Sequence, residues 1–277
     1  MAPRLRLTLV VATCLAVLAP TSASAAPQPL TSGARVAAAP TRWRPPAKVT
    51  WQWQLSGRID TSPVAQVYDI DASSSPSVVR ALHAKGRKVV CYLSAGSWEN
   101  WRADRKSFPA AVIGSPLDGW PGERWLDVRR LDVLRPIMAA RMDGCRRKGF
   151  DAVEPDNVDG YTQDSGFSIS AADQIAYNRM LARLAHQRGL AVALKNDVEQ
   201  AGALQPYFDL VVNEQCAEYS ECGSYGPFLR AGKPVLHAEY DLTTAQFCPV
   251  SKRLGLSSIR KQLELGPWRQ TCPVGSR

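Results

Sequence analysis

The stretch Arg146-Arg147-Lys148-Gly149-Phe150-Asp151-Ala152-Val153-Glu154-Pro155-Asp156 contains the unit from which the fold is read. Basic residues suit the negative end of a helix, and the glycine after them supplies the positive φ of a helix C-cap. A short apolar run follows and ends in carboxylates. The same joint recurs at Lys85-Gly86 before Val89-Val90, at Arg188-Gly189 before Val192 and at Ala231-Gly232 before Val235. A helix that repeatedly feeds a strand is a parallel α/β pattern. Strand-like runs fall at 49–54, 66–71, 88–94, 152–155, 190–195, 210–214, 235–239 and 256–259. Helix starts lie between them. Ser75-Pro76 reads as an N-cap with proline at the first helical position, and Ser170 with Asp173 as a capping box. Eight runs within residues 43–277 fit a single (β/α)8 TIM barrel of the α/β class. A doubly wound sheet is the alternative. No G-x-G-x-x-G or Walker A sequence follows a strand to suggest a nucleotide.

The ends of the chain differ from this domain. Arg4 and Arg6 precede an apolar run over residues 7–18, and Ala23-Ser24-Ala25 offers small-x-small cleavage. Residues 1–25 therefore read as a secretory signal peptide, and residues 26–42, rich in Ala, Pro, Ser and Thr, as a flexible leader. No stretch approaches the ~20 apolar residues of a membrane span. The expected location is extracellular. Six cysteines remain after residue 25, an even number that suits an oxidising compartment. Local closure favours Cys216 with Cys222 and Cys248 with Cys272, leaving Cys91 with Cys145. There is no C-x-x-C or H-E-x-x-H, and His83, His186 and His237 lie far apart, so no metal is expected.

With 45% hydrophobic and 21% charged residues among 277, the composition is that of an ordinary globular protein, not of a disordered chain, collagen or a coiled coil. Net charge is +9, or +7 without residues 1–25. Basic pairs such as Arg129-Arg130 and Arg146-Arg147 read as solvated helix surface, so no nucleic acid is expected.

A barrel presents its chemistry at the C-terminal ends of its strands. The second run ends in Asp69 and Asp71, which alternate and so share a face. The third brings Tyr92, followed by Trp98 and Arg102. The fourth ends in Glu154 and Asp156, followed by Asp159 and Tyr161. The fifth ends in Lys195-Asn196, the sixth in Glu214-Gln215 and the seventh in Glu239-Tyr240. Buried carboxylates are costly unless paired or functional. Acids beside aromatic platforms suit a sugar cleft. Glycosidases flank the scissile bond with two carboxyls, ~5–5.5 Å apart for retention and ~6.5–9.5 Å for inversion. Acids on the fourth and sixth strands face each other across a barrel mouth, which selects Asp156 and Glu214, with Glu154 as a rival. Structural alternatives are a helix cap for Asp156, an ion pair with Lys195 for Glu214 and a backbone-bound pair for Asp69 and Asp71. Trp98, Trp101, Trp120 and Trp125 are expected mostly to pack the long segment after the third strand. That segment exceeds the ~12–15 residues of ordinary loops and reads as a lid.

Several segments also resemble glycoside hydrolase family 114. They are Trp51-Gln-Trp-Gln, Tyr68-Asp-Ile-Asp, Cys91-Tyr-Leu-Ser-Ala-Gly-Ser, Trp101-Arg, Trp120-Pro-Gly-Glu-Arg-Trp-Leu-Asp, Leu194-Lys-Asn and Val212-Asn-Glu-Gln-Cys. The most specific is Gly149-Phe-Asp-Ala-Val-Glu-Pro-Asp-Asn-Val-Asp-Gly-Tyr. The resemblance spans about residues 51–240. It implies an endo-α-1,4-polygalactosaminidase on a (β/α)8 barrel, with Asp156 as nucleophile and Glu214 as general acid/base. An amino-sugar substrate would be cationic, and Asp69, Asp71, Glu154, Asp159 and Glu239 would complement it. Tyr92, Trp98, Tyr161 and Tyr240 would stack on rings. Arg102, Lys195, Asn196 and Gln215 would bind hydroxyls or orient carboxylates. The expected partner is an amino-sugar polysaccharide met by a monomer without a cofactor. A catalytically silent carbohydrate-binding barrel is the alternative. A basic chain acting on a polycation sets a tension that only a locally acidic cleft removes, since fields are screened within ~8 Å at physiological salt.

Overall fold

The computed structural model describes residues 42–272; the expected signal peptide and all of the leader except Arg42 lie outside the described residues. Eight parallel strands run in barrel order: β1 (Trp51–Gln54), β2 (Val67–Asp71), β3 (Lys88–Ser94), β7 (Ala152–Asp156), β8 (Ala191–Lys195), β9 (Leu210–Glu214), β10 (Val235–Glu239) and β11 (Ser257–Arg260). A short antiparallel β12 (Gln270–Thr271) adds to β11. The excursion after β3 is a three-stranded antiparallel sheet of β4 (Ser97–Glu99), β5 (Ile113–Pro116) and β6 (Glu123–Leu126). The helices α1 (Pro76–His83), α2 (Leu131–Lys148), α3 (Ala171–Gln187), α4 (Ala201–Leu204), α5 (Gly226–Arg230) and α6 (Thr244–Leu254) connect the strands. The eight expected runs are the eight barrel strands.

The glycine joints behave as their chemistry requires. Gly149 ends α2 at φ 94° and accompanies the basic last turn of Arg146, Arg147 and Lys148. The Ser170–Asp173 capping box forms at the start of α3. Ser75 stands at the N-cap of α1, but its hydroxyl pairs with Ser77 Oγ at 2.7 Å and caps no backbone N–H.

Two apolar layers hold the barrel. Inside it, Trp51 and Trp53 stack with ring centroids 5.8 Å apart, and Ala152, Ala191, Ala193 and Ala238 leave room for them. Outside it, helix residues such as Leu134, Met138, Leu181 and Leu184 cover Val89, Cys91, Val153 and Val192. The barrel bottom is tied by a repeated device. His83 and Val89 N–H both meet Asp151 Oδ2, at 2.8 and 2.9 Å. His186 and Val192 N–H meet Asp209 Oδ2 in the same way, at 2.9 and 3.0 Å. These two histidines thus join helix ends to strand starts.

Closure between the first and last parallel strands differs from a simple barrel. No backbone ladder joins β1 to β11 among the described residues. Instead Trp51 Nε1 donates to Ser257 O at 2.7 Å, and Val49 N–H donates to Ser257 Oγ at 3.1 Å. Gln52 Nε2 reaches Pro267 O at 2.8 Å, and Leu55 N–H reaches Leu265 O at 2.9 Å. The C-terminal segment is the filler of the seam.

The three cysteine pairs are Cys91–Cys145, Cys216–Cys222 and Cys248–Cys272, as expected. The first clamps β3 to α2 across 54 residues of sequence. Replacing both of its cysteines by alanine is expected to lower unfolding free energy by roughly 4 kcal/mol in urea titration. A loss under about 1 kcal/mol would show that this clamp does not restrain the unfolded chain.

Candidate active site

Three strands end alike at the barrel mouth. The residue after Asp156, after Lys195 and after Glu214 has left-handed backbone: Asn157 at φ 59°, Asn196 at φ 47° and Gln215 at φ 63°. Asparagine tolerates this region, whereas for glutamine it costs roughly 1–2 kcal/mol. Such strain gathers where a site requires an abrupt turn. Each turn takes the chain off its strand and leaves the preceding side chain over the barrel axis. A close approach enforces the first turn. Ala95 and Gly96 N–H both donate to Asp156 O, and a Cβ on Gly96 would lie 1.5 Å from Asn157 O.

Lys195 is the centre of the site. Its Nζ lies 2.9 Å from Asp156 Oδ1, 2.9 Å from Glu214 Oε2 and 3.5 Å from Glu154 Oε1, and 5.0 Å from the Trp53 ring centroid. Burial alone would depress its pKa, but Asp156, Glu214 and Glu154 outweigh it and hold the ammonium well above its ordinary value. Two 2.9 Å contacts to one atom keep those Asp156 and Glu214 oxygens within 5.8 Å of each other. The Lys195–Glu214 ion pair offered as a structural alternative is present, and it ties Glu214 to Asp156.

Each carboxylate is also held by neutral donors. Asp156 Oδ2 accepts from Tyr92 OH at 2.8 Å, and its Oδ1 accepts from Asn157 N–H at 2.7 Å. Glu214 Oε1 accepts from Tyr240 OH. Glu214 Oε2 accepts from Asn196 Nδ2 at 3.2 Å, and Asn196 Oδ1 in turn accepts Glu214 N–H at 2.9 Å. Burial first, then the adjoining carboxylate, raises both tyrosines far above the usual phenol range, so both remain donors.

Beneath Lys195 lie Asp69 and Glu154, both fully buried. None of their four oxygens meets an N–H or hydroxyl hydrogen bond. Two neighbouring carboxyls in that setting satisfy each other by sharing a proton. Burial, followed by the charge of Glu154, holds Asp69 well above the carboxylate range, so the pair retains a proton between them. Glu154 is pushed up to about 7, chiefly by burial.

Above these groups opens a cleft of about 980 Å³. Of the residues singled out in the sequence, Asp71, Tyr92, Arg102, Asp156, Asp159, Tyr161, Lys195, Asn196, Glu214, Gln215 and Tyr240 line it. Four expected residues stand elsewhere. Asp69 and Glu154 lie below its floor. Trp98 turns its Nε1 to Arg105 O at 3.0 Å and braces the excursion, so it offers no ring face to the cleft. Glu239 is fully buried and accepts His237 Nε2 at 2.7 Å and Ala217 N–H at 2.8 Å, which anchors the loop after Glu214. Arg102 is committed to Asp71 through two bonds of 2.9 and 2.7 Å and to Glu99 at 2.8 Å.

The sequence reading missed part of the wall. Trp101 and Trp120, 53% and 47% exposed, line the cleft and are not packing residues. Glu123, inside the quoted Trp120–Asp127 segment, is pushed up to about 7 by burial. Asp197 is pushed up to about 8, chiefly by burial and then by Asp159, which itself reaches about 6. Eleven acids and two bases line the cleft of this basic chain, and both bases are ion-paired to acids. The charge tension in the sequence is therefore resolved locally.

Carboxylates at the C-terminal mouth of a parallel barrel, set among exposed aromatic rings, define a site built for carbohydrate. The comparisons agree. The family model of Glycoside-hydrolase family GH114 matches residues 32–277, and the chain belongs to that family. It is similar to Aspergillus fumigatus Ega3, crystallised in complex with galactosamine, with 39% identity over 84% of this chain and 98% of that one and a TM-score of 0.80. The glycoside hydrolase domain of PelA from Pseudomonas aeruginosa shares the fold, with 16% identity over 82% and 99% of the two chains and a TM-score of 0.62. An uncharacterized protein of Deinococcus radiodurans is 26% identical over 87% of this chain and 88% of its own length. The protein is a glycoside hydrolase on a TIM-barrel-like fold.

Gly96→Ala is expected to lose nearly all activity, because Asn157 must move and Asp156 with it; full activity in a folded variant would contradict the close approach. Between about pH 4 and pH 8 folded Asp197 keeps a proton that the unfolded chain has released, so stability falls as pH rises through this window. The melting temperature of Asp197→Asn should therefore gain on wild type from pH 5 to pH 8. A difference that stays flat would contradict a buried, protonated Asp197.

Proposed function

We propose that the protein is a secreted endo-glycosidase that cleaves α-1,4-linked galactosamine polysaccharide with retention of configuration, using Asp156 and Glu214. The observation that carries this reading is the Lys195-bridged pair at the base of an acidic, aromatic cleft. One ammonium holding an oxygen of each acid at 2.9 Å draws the pair together, as a retaining separation of ~5–5.5 Å requires.

In the first step, with Glu214 in its protonated form, Asp156 attacks the anomeric carbon as the bond to the leaving oxygen breaks, and Glu214 delivers its proton to that oxygen. In the second, Glu214 takes a proton from water, whose oxygen displaces Asp156 from the anomeric carbon. Asp156 suits the nucleophile role because Tyr92, Asn157 N–H and Lys195 fix both its oxygens. As Asp156 loses charge to the sugar, Lys195 remains paired to Glu214 and Glu154, so the lysine is never stranded without a carboxylate. Glu214 is held by Tyr240 and Asn196 at the partly open side of the site.

The substrate class is supported by the galactosamine held by the relative Ega3 and by the acidity of this cleft. Exposed Trp101 and Trp120 extend the binding surface beyond the catalytic pair, which suits internal cleavage of a polymer. Secretion is supported by the signal-like residues 1–25 and by three disulfides. Among the described residues no helix is long and apolar enough to cross a membrane.

The test is reducing-end release from an α-1,4-galactosamine polymer. Asp156→Asn and Glu214→Gln should each lower kcat by about 10²–10⁴-fold with folding intact. NMR of early product should show the α anomer before mutarotation. No release by wild type would reject the substrate, and tight binding without release would identify a carbohydrate-binding barrel. A β anomer would reject retention.

A further inference from the structure

We propose that Glu123 is the carboxylate that receives the 2-ammonium group of the sugar unit whose anomeric carbon faces Asp156. This rests on the amino-sugar reading above and adds to it a specificity-determining residue.

Glu123 begins β6 in the cleft wall formed by the excursion after β3, and it lines the cleft together with Asp156. It is only 7% exposed, yet no base lies within ion-pairing distance among the described residues. Two arginines in this part of the fold are committed elsewhere. Arg102 holds Asp71 and Glu99, while Arg141 holds Asp104 and Ser94 O. A carboxylate buried without a counter-ion is costly. The strain shows in its pKa, which burial lifts to about 7 and Glu99 and Asp156 help to raise. A cation arriving from the cleft relieves it.

Its orientation is fixed. Glu123 Oε2 accepts from Ser97 Oγ at 2.5 Å, Ser97 Oγ pairs with Ser94 Oγ at 2.6 Å, and Asn157 Nδ2 donates to Ser94 Oγ at 2.9 Å. The chain of bonds ends on the residue that follows Asp156, so the acid and the proposed nucleophile hold one register. Glu123 Oε1 accepts no hydrogen bond from the described residues and is left for a donor in the cleft.

The chemistry gives this position a purpose. In a 2-amino sugar the ammonium sits on the carbon next to the anomeric centre. Positive charge there opposes the oxocarbenium-like transition state of glycoside cleavage. A carboxylate against the ammonium offsets that charge most where the ring becomes cationic, so it acts on kcat as well as on KM. An N-acetylated unit carries no such charge and gains no charge pairing from Glu123, only at most a hydrogen bond from its amide N–H.

Glu123→Gln keeps the shape and the Ser97 contact and removes the charge. An α-1,4-galactosamine oligomer and its fully N-acetylated counterpart are titrated calorimetrically into Asp156→Asn protein, with and without Glu123→Gln. The expected result is an affinity ratio, amine over acetylated, that falls at least tenfold on Glu123→Gln and recovers in part with Glu123→Asp. A ratio left intact by Glu123→Gln, or no amine preference in the Asp156→Asn protein, overturns the proposal. Glu123-dependent amine preference in a protein that releases no reducing ends overturns the hydrolytic reading and upholds the ammonium site.

Discussion

One ammonium group organises the mouth of this barrel. Lys195 Nζ is 2.9 Å from both Asp156 and Glu214 and 3.5 Å from Glu154, in a place water scarcely reaches. Without it, three carboxyls would crowd one small volume, and mutual repulsion would force protons onto them or spread the strands that carry them. With it, two remain close enough to work on a single bond. Much else in the upper barrel serves this arrangement. Trp53 closes off the lysine, Asp69 and Glu154 are both raised above the carboxylate range and so hold a shared proton, and Tyr92 and Tyr240 fix the outer oxygens.

The backbone follows from the same requirement. Asp156, Lys195 and Glu214 are the last residues of β7, β8 and β9, three strands adjacent in the sheet. Adjacent parallel strands put their ends side by side, so a lysine on the middle one reaches an acid on each neighbour. The left-handed residues that follow let the chain leave without covering the pocket. Gly96 allows the β3–β4 turn to touch Asp156 O directly, which joins the excursion to the catalytic floor. Acidity above the floor then suits a cationic polymer, although the chain as a whole is basic.

The barrel was legible because helix ends wrote themselves in Gly86, Gly149, Gly189 and Gly232, each at positive φ, and because its strands are short apolar runs between them. Asp156 and Glu214 were legible as carboxylates delivered where apolar runs stop. Other features left no periodic trace. The strands of the excursion are three or four residues long, too short for alternation to show, so Glu123 was unreadable there, and Trp101 and Trp120 lie in the turns outside them, where no periodicity applies. Asp69 and Glu154 share strand faces with the cleft residues Asp71 and Asp156, and Glu239 directly precedes the cleft residue Tyr240, yet their depth depends on how the strands meet around the barrel. Trp98 was misplaced for a similar reason, since a tryptophan's direction on a short strand is decided by the loop that covers it. The closing seam relies on single hydrogen bonds from Trp51 and Gln52 that no pattern encodes.

On the proposed mechanism Asp156 bonds to the sugar while Glu214 manages the proton. This division of roles is tested most directly by supplying Glu214→Ala protein with an α-galactosaminyl fluoride, whose leaving group needs no acid, and mapping the adduct by peptide mass spectrometry. The account predicts a stable glycosyl ester on the peptide containing Asp156, at the side chain of that residue. An adduct on Glu154, or hydrolysis of the fluoride with inversion and no adduct, would contradict it.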